Sequence, residues 1–400
     1  MNKCKVTAED LVSIMSFGKM PIANGFIERK NFNEEFFFEM EIGFNEKLSL
    51  LQLIDHPKPE VMFNKNYPFF TSSSKYMISH FKDYSQWINQ NYGSNLKKII
   101  EIGSNDGTFL KNFNNTNIQS IGFEPSLNVS DEAIKQGINS KNLFFNLDSV
   151  EEEKKFQGQT DIICAANVIC HIPDLENLFK SVDKCLNQKG LFIFEEPYLG
   201  SMFEKTSYDQ IYDEHIFMFS ASSVQKICKL FDMELIDVVK QETHGGSLRY
   251  VCARKNAYDV KNNVGFFLSE ENKNNLDNST SCFQFKKSCE DSKTKLNDTI
   301  NKLIYEGKRI VGYAATSKST TILNFCKIGP EMIEYICDTT KEKIGKYSPG
   351  MHIPIVSVDQ FRKDNADIAY LFAWNHKTEI FAKEEKFIKK NTKWISHVKI

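Results

Sequence analysis

The sequence predicts an α/β chain in three parts: an irregular N-terminal domain, a central doubly wound Rossmann-like domain and a C-terminal Rossmann-like α/β domain. Three observations lead to this prediction. Short apolar runs alternate with helical patterns in the middle of the chain, an amphipathic stretch follows, and the alternation resumes after Gly307. A length of 400 residues also exceeds that of one ordinary domain. The predicted segments are 1–80, 81–255, a helical linker at 256–306, and 307–400.

The first 80 residues show no clear alternation of strand and helix patterns. Prolines at positions 21, 57, 59 and 68 separate short apolar runs. Proline interrupts regular elements because it cannot donate a backbone hydrogen bond. We therefore expect an irregular domain that contains some strands.

The central segment alternates strand and helix signals. Helical spacing in "SKYMISHFKDYSQWINQNY" precedes a strand, a glycine-bearing turn and a helix in "LKKIIEIGSNDGTFLKNF". Further strands are predicted in "SIGFEPS", "DIICAANV" and "LFIFEEP", and helices in "DEAIKQG" and "LENLFKSVDKCLNQKG", each ending at its glycine. The helix "SSVQKICKLFD" and the strands "MELIDVV" and "LRYVCAR" complete a parallel, doubly wound sheet.

A long amphipathic helix is predicted between the two α/β domains. The stretch "SCFQFKKSCEDSKTKLNDTINKLIYEG" has its apolar residues near one face, and the polar "ENKNNLDNSTS" before it is expected to be a loop. The second α/β unit then begins with strand, turn and helix in "KRIVGYAATSKSTTILNFC". Its further strands are predicted in "IEYICDTT" and "DIAYLFAW".

Composition excludes several classes of protein. The net charge of −2 leaves no overall electrostatic footprint for nucleic acid or an anionic membrane. No run of eighteen apolar residues predicts a transmembrane helix, and the N-terminus lacks a signal-peptide core, so we expect a cytoplasmic protein. Ten cysteines without a C-x-x-C pair favour buried reduced thiols over disulfides or a metal.

The turn "EIGSNDG" is the first signal for a ligand. Glu101 ends a strand, and Gly103 and Gly107 flank Ser104 and Asn105 at the start of a helix, where free N–H groups and close backbone approach favour binding. A dinucleotide fingerprint needs glycine where Asn105 stands. The turn therefore favours S-adenosylmethionine, which has no pyrophosphate.

Two further strand ends support a cofactor site. Glu124 follows the second strand, where an acid can accept hydrogen bonds from both ribose hydroxyls of an adenosine group. Asn167 and His171 follow the third strand, at the edge where such folds face their ligand, although a loop position without contact is nearly as consistent for His171.

Ordered motifs along nearly the whole chain resemble one family. They include "PIANGF", "FNKNYPFFTSSSKYMISHF", "EIGSNDG", "GFEPS", "AANVICHIPD", "EEPYLG", "YDQIYDEHIFMFSASSVQ", "THGG", "VGYAATSKSTTILNFC", "CDTTKEKIGKYSPGMHIPI" and "LFAWNH". The chain resembles the S-adenosylmethionine-dependent C-methyltransferases that act on nucleotide-linked 4-keto deoxyhexoses (the C-3′-methyltransferases of dTDP-4-keto deoxyhexoses). The resemblance implies a central domain that binds the methyl donor and a C-terminal domain that holds the nucleotide-sugar.

The chain departs from this family at its N-terminal zinc site. Members usually carry two Cys pairs, but here Cys4 stands alone, Thr7 takes the place of its partner, and the second pair falls near Asn45 and Leu48. Four-coordinate zinc needs four nitrogen or sulfur donors. We therefore predict no zinc and no other metal, and we expect packing, with the Phe-rich "NFNEEFFFEM" as a candidate, to stabilise a degenerate zinc-binding-type domain.

The resemblance implies proton abstraction from the carbon beside a ketone, which needs a base and a donor to the ketone oxygen. His215 is a candidate base, and Tyr212 and Glu214 are candidates to orient the sugar. His244 is a second candidate base, and the choice between the two histidines stays open. Tyr67 resembles a tyrosine that the N-terminal domain brings into the site.

The C-terminal unit has its own candidates for binding a nucleotide-linked 4-keto sugar. Backbone N–H groups and hydroxyls at the start of its first helix suit a pyrophosphate, and a strand-end acid suits a sugar hydroxyl. With two residues from motifs of the resemblance, the predicted substrate-binding residues are Thr316, Ser317, Lys318, Asp338, His352 and Asn375.

Several alternatives stay open at this point. The methyl group could go to carbon 5 of the sugar instead of carbon 3. The nucleotide of the sugar is either thymidine diphosphate or guanosine diphosphate. An O- or N-methyltransferase acting on a small metabolite needs no carbon base, and a non-catalytic binding protein needs no intact site. A monomer is favoured because the chain carries its own complete site.

Overall fold

A computed structural model describes residues 2–63, 65, 67–114, 116–364, 366–387 and 392–400. The N-terminal unit contains three strands and a short helix: β1 Val12–Pro21, β2 Phe37–Asn45, β3 Leu50–Leu53 and α1 Pro59–Met62.

The central unit contains strands β4 Lys98–Ile102, β5 Gln119–Phe123, β6 Ser140–Lys141, β7 Thr160–Ala166, β8 Leu186–Pro197, β9 Phe217–Met218, β10 Met233–Gln241 and β11 Ser247–Arg254. Its helices are α2 Lys75–Tyr92, α3 Leu127–Lys135, α4 Leu147–Glu152, α5 Leu175–Cys185, α6 Leu199–Lys205 and α7 Ala221–Leu230.

The linker helices are α8 Asn262–Lys273 and α9 Ser279–Tyr305. The C-terminal unit contains strands β12 Ile310–Tyr313, β13 Ile336–Asp338, β14 Ile355–Ser357, β15 Ile368–Leu371 and β16 Lys393–Ile395. Its helices are α10 Ser317–Cys326, α11 Val358–Lys363 and α12 Lys377–Glu384.

The N-terminal part forms a regular antiparallel sheet rather than the irregular domain that the sequence predicts. The strand order is β1-β2-β3-β9, so the central unit supplies the last strand, in which Met218 pairs with Leu51. Two register shifts in β1 break the apolar alternation by which a strand is recognised in a sequence. The Phe-rich stretch contributes less packing than expected, because Phe36 and Phe37 are exposed and only Phe38 and Met40 are buried.

Hydrogen bonds and apolar packing join the four positions of the degenerate zinc site. Asn45 Nδ2 lies 3.4 Å from Thr7 Oγ1, and Asn45 Oδ1 accepts a 2.8 Å bond from the Leu48 backbone N–H. The Cys4 thiol accepts a 3.2 Å bond from Gln52 Nε2, and Cys4 and Leu48 lie in one buried apolar cluster. These contacts connect the N-terminal loop to β2 and β3.

Asn45→Ala is expected to lower the free energy of unfolding by about 1–2 kcal/mol, because the buried Leu48 N–H loses its acceptor. Treatment of the wild type with EDTA is expected to leave the thermal midpoint unchanged. Urea and thermal unfolding check both points, with exposed Asn91→Ala as the matched control. A fall of the midpoint in EDTA would contradict the metal-free account.

The central sheet is doubly wound, as the sequence predicts, but it is mixed rather than parallel throughout. The strand order is β10-β11-β8-β7-β4-β5-β6, and β4 to β8 pair in parallel while β11 runs antiparallel to its neighbours. The chain leaves β4 toward β5 and later returns to add β7 on the other side. This reversal opens a crevice at the carboxyl ends of β4 and β7, where such sheets bind ligands.

Two helix boundaries in this region differ from the sequence prediction. Helix α5 ends at Cys185 rather than at Gly190, which lies inside β8 with no room for a Cβ beside the Thr160 carbonyl. The predicted loop before α9 shrinks to residues 274–278, because α8 continues to Lys273. Glu271 explains this continuation, since its buried carboxylate accepts bonds of 2.7 and 2.8 Å from the first N–H groups of α7.

The C-terminal unit is a second Rossmann-like sheet, parallel throughout in the order β14-β13-β12-β15-β16. Helix α10 joins it to the other two units. Thr320 Oγ1 donates to the Ala23 carbonyl and Thr321 Oγ1 to the Ile211 carbonyl, each at 2.8 Å.

All ten cysteines are buried and unpaired, as expected of reduced thiols. Within the described ranges, no helix is long and apolar enough to cross a bilayer.

Candidate active site

A cavity of about 550 Å³ lies where the three units meet. Segment 59–77, the carboxyl ends of the central strands, segment 212–215 and the start of α10 form its walls. The cavity brings together sixteen of the predicted site residues: Tyr67, Glu101, Gly103, Ser104, Asn105, Glu124, Asn167, His171, Tyr212, Glu214, His215, His244, Thr316, Ser317, Lys318 and Asn375.

Three predicted residues lie outside the cavity wall. Gly107 has a φ of +78°, and a Cβ there would lie 2.7 Å from Ile138, so this glycine permits close packing of the turn. Asp338 accepts backbone bonds from Ala315 (2.8 Å) and Thr340 (2.7 Å), which shapes the turn before α10.

His352 contacts the N-terminal unit instead of the cavity. Its ring stacks on Phe32 with centroids 3.7 Å apart, and its Nε2 lies 2.7 Å from Glu35 Oε2. The left-handed backbone at His352, with a φ of 54°, turns the loop toward this contact.

The turn after β4 fits the predicted methyl donor. Glu124 accepts backbone bonds from Asn105 (3.0 Å) and Ser126 (2.8 Å), and each carboxylate oxygen keeps a second lone pair for a ribose hydroxyl. Glu101 Oε2 and Ser104 Oγ are buried without a hydrogen-bond partner among the described residues. Such orphaned acceptors beside a glycine turn suit a ligand that brings an ammonium, hydroxyls and a sulfonium.

Burial raises the pKa of the Glu101 carboxyl well above its usual value, and the nearby Asp106 and Glu124 add to this effect. Burial also raises the pKa of Glu124, although its two backbone donors act against the rise. A bound cation would lower both pKa values, because it favours the ionised carboxylates. The two carboxyls of the central crevice therefore complement a cationic ligand, which would favour their ionised form.

Asn105 contacts the N-terminal unit. Its backbone has a φ of +47°, and its Oδ1 accepts bonds from the Thr71 backbone N–H (2.9 Å) and hydroxyl (3.1 Å). Asp106 similarly accepts a 2.8 Å bond from the Ser72 N–H. The turn after β4 thereby holds segment 67–72 against the cavity.

His215 is held in a single tautomer. Its Nδ1 lies 2.7 Å from the Gln210 carbonyl oxygen, which can only accept, so Nδ1 carries the hydrogen. Nε2 lies 2.7 Å from the Tyr212 hydroxyl and presents a lone pair to it. Burial lowers the pKa of His215 well below its usual value, and charge on His171 would lower it further. The imidazole is therefore neutral, with its basic nitrogen on the side of Tyr212.

His171 stacks between Phe63 and His215. The ring centroids are 5.4 and 5.3 Å apart, and both pairs are inclined by 22°. Its Nε2 is buried without a partner in the described part of the chain. Burial lowers the pKa of His171 to about 3, so this imidazole is also neutral at pH 7.

His244 adopts a left-handed backbone with a φ of 54° in the "THGG" turn. Its Nε2 contacts the Asn167 amide nitrogen, which is a donor, so the lone pair of Nε2 is already engaged. Burial lowers the pKa of His244 well below its usual value. Both candidate bases are thus neutral, but only the basic nitrogen of His215 lies beside a hydroxyl.

Glu214 connects the cavity to the N-terminal unit. Its Oε1 accepts a 2.7 Å bond from Asn24 Nδ2, and its Oε2 accepts a 3.3 Å bond from the Tyr67 hydroxyl. Burial raises the pKa of Glu214 to about 7. The neighbouring Asp213 accepts a 3.0 Å bond from the Ala23 N–H and so anchors the N-terminal unit.

The start of α10 supplies the polar groups of the C-terminal wall. Thr316 caps the helix by accepting a 3.2 Å bond from the Ser319 N–H. Lys318 Nζ donates to Asn375 Oδ1 at 3.2 Å and lies 5.1 Å from the centre of the Trp374 ring. Among the described residues, no carboxylate lies within ion-pair distance of this ammonium.

Sequence reasoning missed several polar residues of the cavity wall, among them Asn24 and Lys343. Lys343 Nζ donates to the Ala315 carbonyl at 2.8 Å, next to the start of α10. Both residues lie inside motifs of the resemblance, "PIANGF" and "CDTTKEKIGKYSPG", so the motifs carried the signal although the single residues did not.

The pKa of His171 predicts a loss of stability in acid. Its folded value of about 3 lies below the ordinary 6.5, so the unfolded state binds the proton first. The neutral imidazole therefore contributes fully to the free energy of unfolding above pH 6.5. This contribution is lost as the pH falls toward 3, by up to about 1.4 kcal/mol per pH unit. Urea unfolding at pH 7.0 and 5.5 should therefore show a smaller loss for His171→Asn than for the wild type. Equal losses would contradict the buried neutral imidazole.

The comparisons with known proteins agree with this geometry. A family model described as "Methyltransferase domain" matches residues 75–238, and one described as "C-methyltransferase C-terminal domain" matches residues 242–398. The C-methyltransferase NovU of Streptomyces niveus is 27% identical over 402 residues, which cover 99% of this chain and 95% of NovU.

Solved structures align with less than half of this chain. The PH0226 protein of Pyrococcus horikoshii aligns with 13% identity and a TM-score of 0.37, over 47% of this chain and 95% of its own. Magnesium protoporphyrin IX methyltransferase of Synechocystis, with bound SAH, aligns with 13% identity and a TM-score of 0.34, over 44% and 83%. The two adjoining family models and the full-length relative together support an S-adenosylmethionine-dependent C-methyltransferase.

Proposed function

We propose that this C-methyltransferase removes the proton from the carbon beside the ketone of a nucleotide-linked 4-keto deoxysugar and methylates that carbon, with carbon 3 as the acceptor, in deoxysugar or polysaccharide biosynthesis. One observation carries the proposal. A neutral, tautomer-fixed imidazole, His215, lines the same cavity as the cofactor turn. A transfer to oxygen or nitrogen removes no carbon-bound proton, so exchange of the α-proton with solvent separates the two reactions.

Bound S-adenosylmethionine supplies an electrophilic methyl group on a sulfonium. The residues Glu101, Gly103, Ser104, Asn105, Glu124 and Asn167 would hold it in the central crevice. The protein itself must create the nucleophile, because a sugar carbon is not one until its proton is removed. The adjacent ketone then holds the charge as an enolate.

We assign the base to His215 Nε2. The hydrogen on Nδ1 stays bonded to the Gln210 carbonyl, so Nε2 is the nitrogen that accepts the proton. The Tyr212 hydroxyl, now 2.7 Å from Nε2, is the donor placed to reach the ketone oxygen once the sugar separates the two groups. Glu214 and Tyr67 form the far wall, where they can accept from and donate to sugar hydroxyl or amino groups.

We assign the nucleotide diphosphate to the start of α10. Thr316, Ser317 and the free N–H groups of the helix suit phosphate oxygens. Lys318 and Lys343 both line this wall, and neither ammonium has a carboxylate within ion-pair distance in the described ranges. A diphosphate would supply the missing negative charge.

Incubation of the enzyme with labelled methyl donor and a panel of dTDP- and GDP-linked 4-keto sugars tests the proposal. We expect label on carbon, and NMR should locate it at carbon 3. In deuterated water without methyl donor, the same α-proton should exchange with solvent. Label at carbon 5 would show that carbon 5, and not carbon 3, is methylated. Label on oxygen or nitrogen, without solvent exchange of the α-proton, would overturn the proposal.

A further inference from the structure

Asp209 is a fully buried carboxylate at the junction of the central and C-terminal units. Its Oδ2 accepts a 2.7 Å bond from the Trp374 indole N–H. Its Oδ1 lies 3.2 Å from His397 Nε2, and both side chains are completely buried. The angle of that approach is poor for a hydrogen bond, so the contact is mainly electrostatic.

The orientation of His397 is set from its other side. The Tyr370 hydroxyl accepts a 3.1 Å bond from the His397 backbone N–H and lies 3.1 Å from its Nδ1. A hydroxyl that accepts from the backbone can donate its own hydrogen to Nδ1. This arrangement leaves Nε2 as the hydrogen-bearing nitrogen that faces Asp209. We call Asp209, Trp374 and His397 the interdomain cluster.

The interdomain cluster lies next to the residues that position the two candidate bases, His215 and His244. Asp209 immediately precedes Gln210, whose carbonyl fixes the His215 tautomer. The Trp374 ring lies against Gly245, the residue after His244, so closely that a Cβ on Gly245 would meet the ring at 2.2 Å. Trp374 also lies beneath the Lys318 ammonium.

The charge of Asp209 also holds the interdomain cluster together. Although burial alone would raise the pKa of Asp209, the neighbouring His397, Lys318 and Trp374 together hold it below its usual value. Asp209 is therefore an anion in the interior. It attracts C-terminal groups toward the segment that supports His215.

We propose that Asp209, Trp374 and His397 are positioning residues, which fix the sugar-binding C-terminal unit in register with the histidines of the methyltransferase unit. This inference rests on the proposed function, because it requires that the base lies on one unit and the sugar on the other. None of the three residues lines the wall that would contact the methyl donor. Their effect should therefore appear in the proton-transfer step and not in donor binding.

Trp374→Phe tests the inference because it keeps an aromatic ring but removes the N–H bond to Asp209 and the outer edge of the indole that lies against Gly245. We expect kcat for α-proton exchange to fall up to about 100-fold, as for a base displaced by about 1 Å. The KM of the sugar and the affinity for S-adenosylmethionine should change little. The matched control is Trp394→Phe in the same unit, whose ring packs against Tyr313 and Phe361, and its exchange rate should equal that of the wild type.

The outcomes separate this inference from the proposed function. If the wild type exchanges no sugar proton, the proposed function fails. If the wild type exchanges and Trp374→Phe matches it per folded enzyme, the positioning role is overturned. A variant that only loses thermal stability, with an unchanged kcat at a temperature where it is folded, also overturns it. Asp209→Asn, which keeps an acceptor for Trp374 but removes the charge, should lie between the wild type and Trp374→Phe.

Discussion

Replacing His215 by asparagine is expected to lower the rate of α-proton exchange by about 10²–10⁴-fold. The asparagine amide can replace Nδ1 as the donor to the Gln210 carbonyl, so segment 210–215 should keep its shape. The asparagine side chain has no basic nitrogen at the position of His215 Nε2. The chemical step therefore fails while the fold and the cofactor turn persist, and exchange measured by NMR in deuterated water reports it directly.

His244→Asn is the matched control for this prediction. The Nε2 lone pair of His244 is already engaged by the Asn167 amide, so its loss should reduce exchange far less than the loss of His215. Binding of S-adenosylmethionine by both variants should be measured in parallel. Near-normal exchange by His215→Asn together with loss of exchange in His244→Asn would transfer the role of base to His244.

The sequence predicted the elements whose signals are local. Strand β4, the glycine turn in "EIGSNDG" and the acid at the end of β5 require only neighbours along the chain, and Glu101, Gly103 and Glu124 all line the cavity. The helix predicted after this turn is wrong, because the chain forms only a short 3-10 helix at Leu110–Phe113. The buried face of α2 was likewise readable from its spacing, with Met77, Phe81, Tyr84 and Ile88 buried.

Contacts between distant segments could not be read in this way. The pairing of β3 with β9 joins residues about 165 positions apart, and no local pattern identifies β9 as the partner of β3. The bond from Asn24 to Glu214 spans 190 positions, and the one from Trp374 to Asp209 spans 165. A polar residue such as Asn24 has no periodic signature. Its place in the cavity follows only from the packing of the N-terminal sheet on the central unit.

His352 shows the opposite error. A histidine in a motif of the resemblance suggested contact with substrate, but its ring and Nε2 are taken by Phe32 and Glu35. The left-handed backbone that directs it there depends on the loop around Pro349 and Gly350, where Glu35 also accepts the Gly350 N–H. A residue that holds two units together and a residue that binds a ligand can both lie in a motif of the resemblance, so the sequence does not distinguish them.

Gly103→Ala is expected to weaken the binding of S-adenosylmethionine by at least about 100-fold, which corresponds to about 2.7 kcal/mol. Gly103 has a φ of +66°, where a side chain costs about 1–2 kcal/mol. A Cβ there would also lie 2.4 and 2.9 Å from the two methyl groups of Val168. Val168 cannot withdraw easily, because its backbone N–H is bonded to the buried Glu196 carboxylate at 3.0 Å.

The strain must therefore be relieved by the turn itself, which moves the backbone that faces the donor and the Ser104 hydroxyl beside it. Gly158→Ala is the matched control, since Gly158 has a φ of +63° and nothing within 4 Å of a new Cβ. It should pay the same conformational cost without changing donor affinity. Calorimetric titration of both variants with S-adenosylmethionine measures the difference. Equal affinities would mean that the turn after β4 does not approach the donor, and the cofactor would then have to bind elsewhere in the cavity.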